Sequence, residues 1–160
     1  MNAPDPRAYR PAAGIMLINS DKHVWVGKRL DNRYEAWQMP QGGIDDGEDV
    51  AVAALRELSE ETGIPDTLVE ILARTAHELY YDLPPELKDQ LWKGRYLGQR
   101  QTWFLMRFTG DDTDVDLETH HPEFGAWKWV QPHTLPDIIV PFKRQLYQDV
   151  LAAFAAHLGL

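Results

Sequence analysis

Cysteine is absent from the 160 residues of the chain. That excludes a disulfide framework, a thiolate zinc site and a cysteine nucleophile. Long apolar runs are absent as well. No stretch approaches the roughly 20 residues that a membrane helix needs, and the N-terminus has no apolar core of the kind a signal peptide carries. A soluble cytoplasmic protein without membrane contact is therefore expected. Basic residues are scarce: 16 Lys and Arg stand against 25 Asp and Glu, a formal net charge of −9. Binding along a nucleic-acid backbone requires many phosphates to be neutralised, so no extended nucleic-acid groove is expected. A ligand whose phosphates meet a few local cations stays open. Arg10, Lys28, Arg29, Arg33, Lys93, Arg95, Arg100, Lys143 and Arg144 are available for it, although most of them read as ordinary surface charge. No internal repeat divides the chain.

What is present suits one packed domain over residues 1–160. A hydrophobic content of 44% and 11% aromatic residues argue against disorder. Residues 1–8 carry two prolines and read as a loose N-terminal arm. Two apolar runs, 12–19 and 24–29, flank a turn-like Asn19-Ser20-Asp21-Lys22 and predict a β-hairpin. A polar loop is expected at 31–35. Trp37 to Pro40 reads as a short extended piece, since proline disfavours helix before it. Strands are expected at 68–74, 78–81, 99–109 and 125–130. Residues 82–95 read as a long loop or short helix, and 111–119 as an acidic surface connection. Leu146, Tyr147, Val150, Leu151 and Phe154 recur at helical spacing, predicting a helix over 142–158 closed by Gly159. Strands interleaved with helices predict an α/β sandwich, a mixed β-sheet between helices.

The chain is organised around residues 42–64, GGIDDGEDVAVAALRELSEETGI. Gly42 and Gly43 suggest a turn whose backbone can approach a ligand closely. Asp45, Asp46 and Glu48 crowd the start of a helix, where the dipole favours negative charge. Gly63 stands where a left-handed cap would end it. Ala51, Leu55, Leu58 and Thr62 form one stripe, the expected core face. Val50, Ala53, Ala54, Glu57, Glu60 and Glu61 form a second. Three glutamates on one stripe repel, each like-charge pair costing about 0.2–0.5 kcal/mol. A cation would relieve that repulsion, and clustered carboxylate oxygens suit hard ions such as Mg²⁺ that also bridge phosphates. Arg56 can pair with Glu60 one turn on. The plain alternative is a solvated acidic helix face.

From Gly42 the pattern runs Gly, five residues, Glu48, seven residues, Arg56-Glu57-Leu58, one residue, Glu60-Glu61, one residue, Gly63-Ile64. Every fixed position resembles the Nudix hydrolase box. Beyond the box the chain is similar to one Nudix subfamily, from Tyr9 to about Phe154. That subfamily contains the bacterial RNA 5′ pyrophosphohydrolases and the plant-type diadenosine tetraphosphate hydrolases. The carrying segments are Tyr9-Arg10-Pro11, Trp37-Gln38-Met39-Pro40-Gln41, Tyr81-Asp82-Leu83-Pro84, Gly98-Gln99 with Gln101 and Trp103-Phe104, Pro122-Glu123-Phe124 with Trp127 and Trp129, and Phe142-Lys143-Arg144.

The resemblance implies the Nudix αβα sandwich and a hydrolase that directs water at phosphorus. It implies Mg²⁺ or Mn²⁺ on Glu57, Glu60 and Glu61, with Glu123 as a further carboxylate from a distant loop and Arg56 beside them. It also implies that Arg10 and Arg29 face phosphates or the first nucleotide, that Lys143 assists with phosphate, and that Phe142 stacks on a base. Tyr81 would touch phosphate through its hydroxyl, with Gln41, Gly42 and Gly43 along the substrate. Core packing at a helix start is the competing reading of Phe142. His77, His120, His121 and His133 read as ordinary loop histidines. Two activities share these motifs: removal of pyrophosphate from triphosphorylated RNA 5′ ends, and asymmetric cleavage of diadenosine tetraphosphate to ATP and AMP. Tyr81-Asp82-Leu83-Pro84-Pro85 is closer to the plant-type enzymes, while a bacterial-style single domain leans to RNA. A non-catalytic nucleotide sensor is the reading from another class, opposed by the intact box. Oligomeric state is not legible.

Overall fold

The computed structural model describes residues 4–31 and 35–160. Arg33, the middle of the 31–35 loop and the first three residues of the N-terminal arm lie outside them. The remainder of the arm makes one 3₁₀ turn, Pro6–Ala8, capped by the Asp5 side chain. Two long strands form the spine of the sheet. β1 (Tyr9–Ile18) runs parallel to the later β7 (Gly98–Phe108), in register from Tyr9 opposite Gly98 to Ile18 opposite Arg107. Every other pairing is antiparallel, so the sheet is mixed as expected. β2 (Val24–Arg29) continues β1 outward and pairs with β3 (Trp37–Gln38) and β8 (Phe124–Val130). On the other side of β7 lie β5 (Val69–Arg74) and β6 (Leu79–Asp82).

Alternation along these strands explains the layers, because successive side chains leave opposite faces. On β1, Met16 and Ile18 face one core while Ala13, Ile15 and Leu17 face the other. On β7, Trp103 and Leu105 go with the first, Phe104, Met106 and Phe108 with the second. Both faces are apolar, so both must be covered, and a helix covers each. α1 (Val50–Thr62) seals the second core with Ala54 and Leu58. The first is sealed by α4 (Arg144–Leu158) through Leu146, Tyr147, Val150, Phe154 and Leu158. Two single-turn helices complete the chain, α2 (Pro85–Lys88) in the expected loop region and α3 (Leu135–Ile138), which the sequence did not reveal. α4 starts later than expected, because 141–143 form a 3₁₀ turn after Pro141.

Two local expectations need correction. Gly42 and Gly43 are not in a turn. They belong to a short strand, β4 (Gln41–Gly43), paired with Ala13 and Ala12 of β1. Close approach, rather than an unusual dihedral, is what needs glycine: a Cβ on Gly42 would overlap the Glu57 carboxylate, and one on Gly43 the Arg10 guanidinium. The core face of α1 is also rotated from the expected stripe. Ala53, Ala54, Leu58, Glu61 and Thr62 are buried, whereas Ala51 and Leu55 are only partly covered. Small Ala53 and Ala54 let the helix settle against β1 and β4, which turns Glu61 inward. Asp49, not the earlier acids, caps the helix, accepting from the backbone N–H of Ala51 and Val52. Gly63 ends it with a left-handed φ of 75°, as expected.

Candidate functional site

A cleft of about 390 Å³ opens where β1, β2, β4, α1 and the segment before α4 converge. It gathers Arg10, Arg29, Gln41, Gly42, Gly43, Glu57, Tyr81, Glu123, Phe142 and Lys143, all of them expected from the sequence. Glu123, Glu60 and Glu61 line an adjoining cavity of about 320 Å³. A larger depression of about 780 Å³ lies around Ile18, Phe108 and Trp129. That is the other end of β1, about 25 Å away at strand rise. Its charged groups are largely paired, Arg107 with Glu70 and Asp112 with the Trp129 indole N–H.

The carboxylates differ sharply in environment. Glu61 is 2% exposed, and among the described residues neither of its oxygens has a hydrogen-bond partner. Burial, followed by the negative charges of Glu123 and Glu57, raises its pKa well above the ordinary carboxylate range. Burial also raises Glu57, with Arg56 opposing and Glu60 and Glu123 reinforcing the shift. Glu60 is turned outward. One Arg56 nitrogen donates to both Glu57, at 3.0 Å, and Glu60, at 3.2 Å. The same guanidinium grips Glu48 through two bonds of 2.9 Å and donates to the Gly43 carbonyl. That contact depresses Glu48 to a pKa of about 2. Arg56 thus straps α1 to β4, a larger role than the expected Glu60 pair alone.

Oxygen-only donors and an orphaned buried carboxylate suit a hard divalent cation. The set is not drawn into a ready-made cage: among the described residues no three acidic, His or Cys side chains cluster closely enough. Arg56 accounts for this, since it draws Glu57 and Glu60 toward itself. His120 and His121, expected to be ordinary loop residues, stand in the cavity shared by Glu60, Glu61 and Glu123, their rings 4.4 Å apart.

The cationic side is built from three elements. Arg29 is held 3.1 Å from Asp31 and 3.8 Å from Glu123. Arg10 stacks over the Trp92 ring at 5.3 Å. The Lys143 ammonium lies 5.0 Å from the Tyr81 ring, and desolvation together with the Arg29 charge lowers it to about 8. Tyr81 departs from expectation. Its hydroxyl donates to Gln99 at 3.1 Å, inside a chain in which Gln101 donates to Gln99 and Gln41. Tyr81 thus lines the cleft with its hydroxyl engaged by Gln99. Phe142 is half-buried, 6.0 Å from Tyr81, so it belongs to both the core and the cleft wall. Gln38, Leu83 and Gln99, quoted above only as motif residues, stand in that wall together with Leu91 and Trp92 of a loop segment that suits either substrate; Leu87 and Val140 carried no signal in the sequence.

Gly42→Ala provides a direct check of the glycine contact. A methyl there must displace the Glu57 carboxylate, the end of a flexible side chain, so stability should fall by no more than about 1 kcal/mol, the low end of overpacking. Urea denaturation measures it, and an unchanged midpoint would mean that Glu57 has room to move aside.

Comparison with known proteins agrees with this geometry. The model of the NUDIX domain matches residues 8–150. An RNA pyrophosphohydrolase of Sphingopyxis alaskensis is 57% identical over 150 residues, spanning 94% of this chain and 95% of its own. One of Novosphingobium aromaticivorans is 57% identical over 148 residues, spanning 91% and 92%. In three dimensions the chain is similar to an Ap4A hydrolase of C. elegans, with a TM-score of 0.65 at 22% identity over 91% of this chain and 98% of that one. An E. coli dihydroneopterin triphosphate pyrophosphohydrolase gives 0.66 at 18% identity, over 89% and 96%. At such identities the two structures speak for the fold alone. The sequence matches reach further: a family model covering most of the chain, and relatives more than half identical over nearly all of it, make this protein a member of the Nudix hydrolase family.

Proposed function

We propose that this protein removes pyrophosphate from triphosphorylated RNA 5′ ends, using Mg²⁺ or Mn²⁺, as one Nudix domain working in the cytoplasm. The observation that carries the reading is the continuity of the site. Three cations, Arg10, Arg29 and Lys143, share one cleft with Glu57 and Glu123, and Glu123 joins it to buried Glu61. A polyphosphate fits such a site: its oxygens would meet the cations while the phosphorus under attack would face the carboxylate wall. The 57% identical relatives named RNA pyrophosphohydrolase support the substrate class.

In this reading Arg10, Arg29 and Lys143 bind the phosphates, while Phe142 offers a ring to the first base. Gln41, Gly42 and Gly43 line the path, held in place by the Gln101 and Arg56 contacts. Glu57, Glu60, Glu61 and Glu123 would hold the cation. Such an ion supplies charge neutralisation at phosphoryl oxygens and a more acidic water. Water then cleaves the α–β phosphoanhydride, leaving a 5′-monophosphate and free pyrophosphate.

Competing substrates provide the test. With Mg²⁺, triphosphorylated RNA, diadenosine tetraphosphate, ADP-ribose and dGTP are assayed side by side, and the RNA should give the highest kcat/KM. A net charge of −9 restricts favourable contacts to the 5′ end. Short and long RNAs with unpaired ends should therefore react alike, with shallow salt dependence. A 5′ end sealed in duplex should react poorly, because its first base cannot unstack. Rapid cleavage of diadenosine tetraphosphate with no reaction on RNA would move the assignment to that substrate. Binding without turnover of any of the four would favour a sensor.

A further inference from the structure

Three glutamines link the core to the cleft, and their hydrogen bonds leave each amide only one way to face. Trp103 begins the chain of contacts. Its indole is fully buried, set against Gly14, where a Cβ would overlap the ring, and met edge-on by Tyr147 at 5.9 Å. An indole N–H donates and never accepts. It donates to the Gln101 Oε1 at 2.8 Å, so the Gln101 Nε2 must face the other way. Both Nε2 hydrogens are then engaged, one by the Gln99 Oε1 at 2.7 Å and one by the Gln41 Oε1 at 3.0 Å. Turning either partner round would set two N–H groups against each other at that distance, inside a buried network where a lost hydrogen bond is costly. The Tyr81 hydroxyl adds a second donor to the Gln99 oxygen at 3.1 Å.

The polarity of this chain decides what the cleft receives. Gln41 and Gln99 both line the cleft, and the oxygen of each is turned to Gln101. What each amide has left to offer a ligand is its NH₂ group, which only donates. Phosphoryl oxygens only accept, so two such groups suit them and add no charge to a wall that already holds Arg10, Arg29 and Lys143. Trp103 and Gln101 are both fully buried and reach a ligand only through the other two glutamines. We propose that Trp103 is a positioning residue: it fixes the Gln101 amide so that Gln41 and Gln99 present N–H donors, not carbonyls, to the polyphosphate. This role rests on the phosphoanhydride-hydrolase reading above and ties substrate binding to one hydrogen bond in the core.

Two measurements on the full chain test it. In the wild type, titration with inorganic pyrophosphate should shift the side-chain NH₂ resonances of Gln41 and Gln99 in a nitrogen–proton correlation spectrum, and shift that of Gln101 less. Unmoved Gln41 and Gln99 resonances overturn the inference. The second measurement is kinetic. Trp103→Phe keeps an aromatic ring but deletes the donor, so Gln101 can settle either way round. KM for triphosphorylated RNA should rise by about tenfold, the worth of a hydrogen bond to a charged group, with kcat within about twofold. In a Gln99→Met background the same substitution should raise KM far less, because an amide that it acts through is gone. A merely structural loosening would lower kcat as well and would add in full to Gln99→Met. Should Trp103→Phe not fold, Gln101→Met deletes the same link and carries the same expectation. An unchanged KM, a kcat that falls in step with the KM rise, or full additivity overturns the inference. Should the wild type cut no RNA, it is the functional reading that falls, and the pyrophosphate titration still decides the role of Trp103, because binding does not require turnover.

Discussion

Replacing Glu61 with glutamine should make the protein more stable and nearly inactive. The two effects have one origin. Glu61 is buried, its oxygens lack hydrogen-bond partners among the described residues, and Glu57 and Glu123 repel its charge. A carboxylate whose folded pKa is raised contributes stability below its unfolded pKa and loses it as pH rises through the folded pKa. At neutral pH the ionised form therefore costs stability, and Glu61→Gln removes that cost. In chelator-treated protein the variant should be more stable than the wild type at pH 7, by a margin that shrinks as pH falls toward 5. Turnover should fall by more than about 100-fold, because losing even a residue that only orients a metal ligand costs about 10–100-fold. Thermal denaturation across pH and single-turnover kinetics measure the two halves. A destabilised variant, or one that keeps near-full turnover, would show that Glu61 is a packing residue and that the acidic face has another purpose.

Much of this arrangement was legible in the sequence, and the failures share a cause. Glu57, Glu60, Glu61 and Arg56 were found because helical spacing converts directly into neighbours. The layers followed from strands interleaved with helices, and Gly63 from its cap position. What escaped was whatever depends on a partner distant in the chain. β4 has almost no strand propensity of its own and exists because Ala12 and Ala13 leave space for it. The inward rotation of α1 depends on how closely Ala53 and Ala54 approach the sheet, which a helical wheel does not contain. The Gln99 partner of the Tyr81 hydroxyl, 18 residues later in the chain, is of this kind. Glu123 was reached by family resemblance alone, since no spacing joins it to α1. His120 and His121 are exposed loop histidines, as expected, and the loop that delivers Glu123 brings them to the same cavity. Sequence patterns fix what a residue's own element imposes, and the cleft is built where many elements meet.

Chelation should abolish turnover without unfolding the protein. The cores on both faces of the sheet are closed by apolar side chains from α1 and α4, so no cation is needed to hold them together. The carboxylates, by contrast, repel one another, and Arg56 pairs with Glu57 and Glu60 but makes no hydrogen bond to Glu61. EDTA should therefore remove activity and leave the circular dichroism spectrum intact. Mg²⁺ or Mn²⁺ should restore activity, whereas a zinc-selective chelator should have no effect, because the site offers oxygen rather than thiolate donors. A second readout is independent of substrate. An ion that binds only the folded protein raises its stability, by about 2.7 kcal/mol at a hundredfold excess over Kd. Mg²⁺ should thus raise the melting temperature of the wild type and do so far less in Glu61→Gln, which already lacks the repulsion that the ion relieves. Full turnover in metal-free buffer would remove the metal from the reaction. An equal Mg²⁺ stabilisation of wild type and Glu61→Gln would move the ion away from this carboxylate, toward the more exposed Glu60 or Glu123.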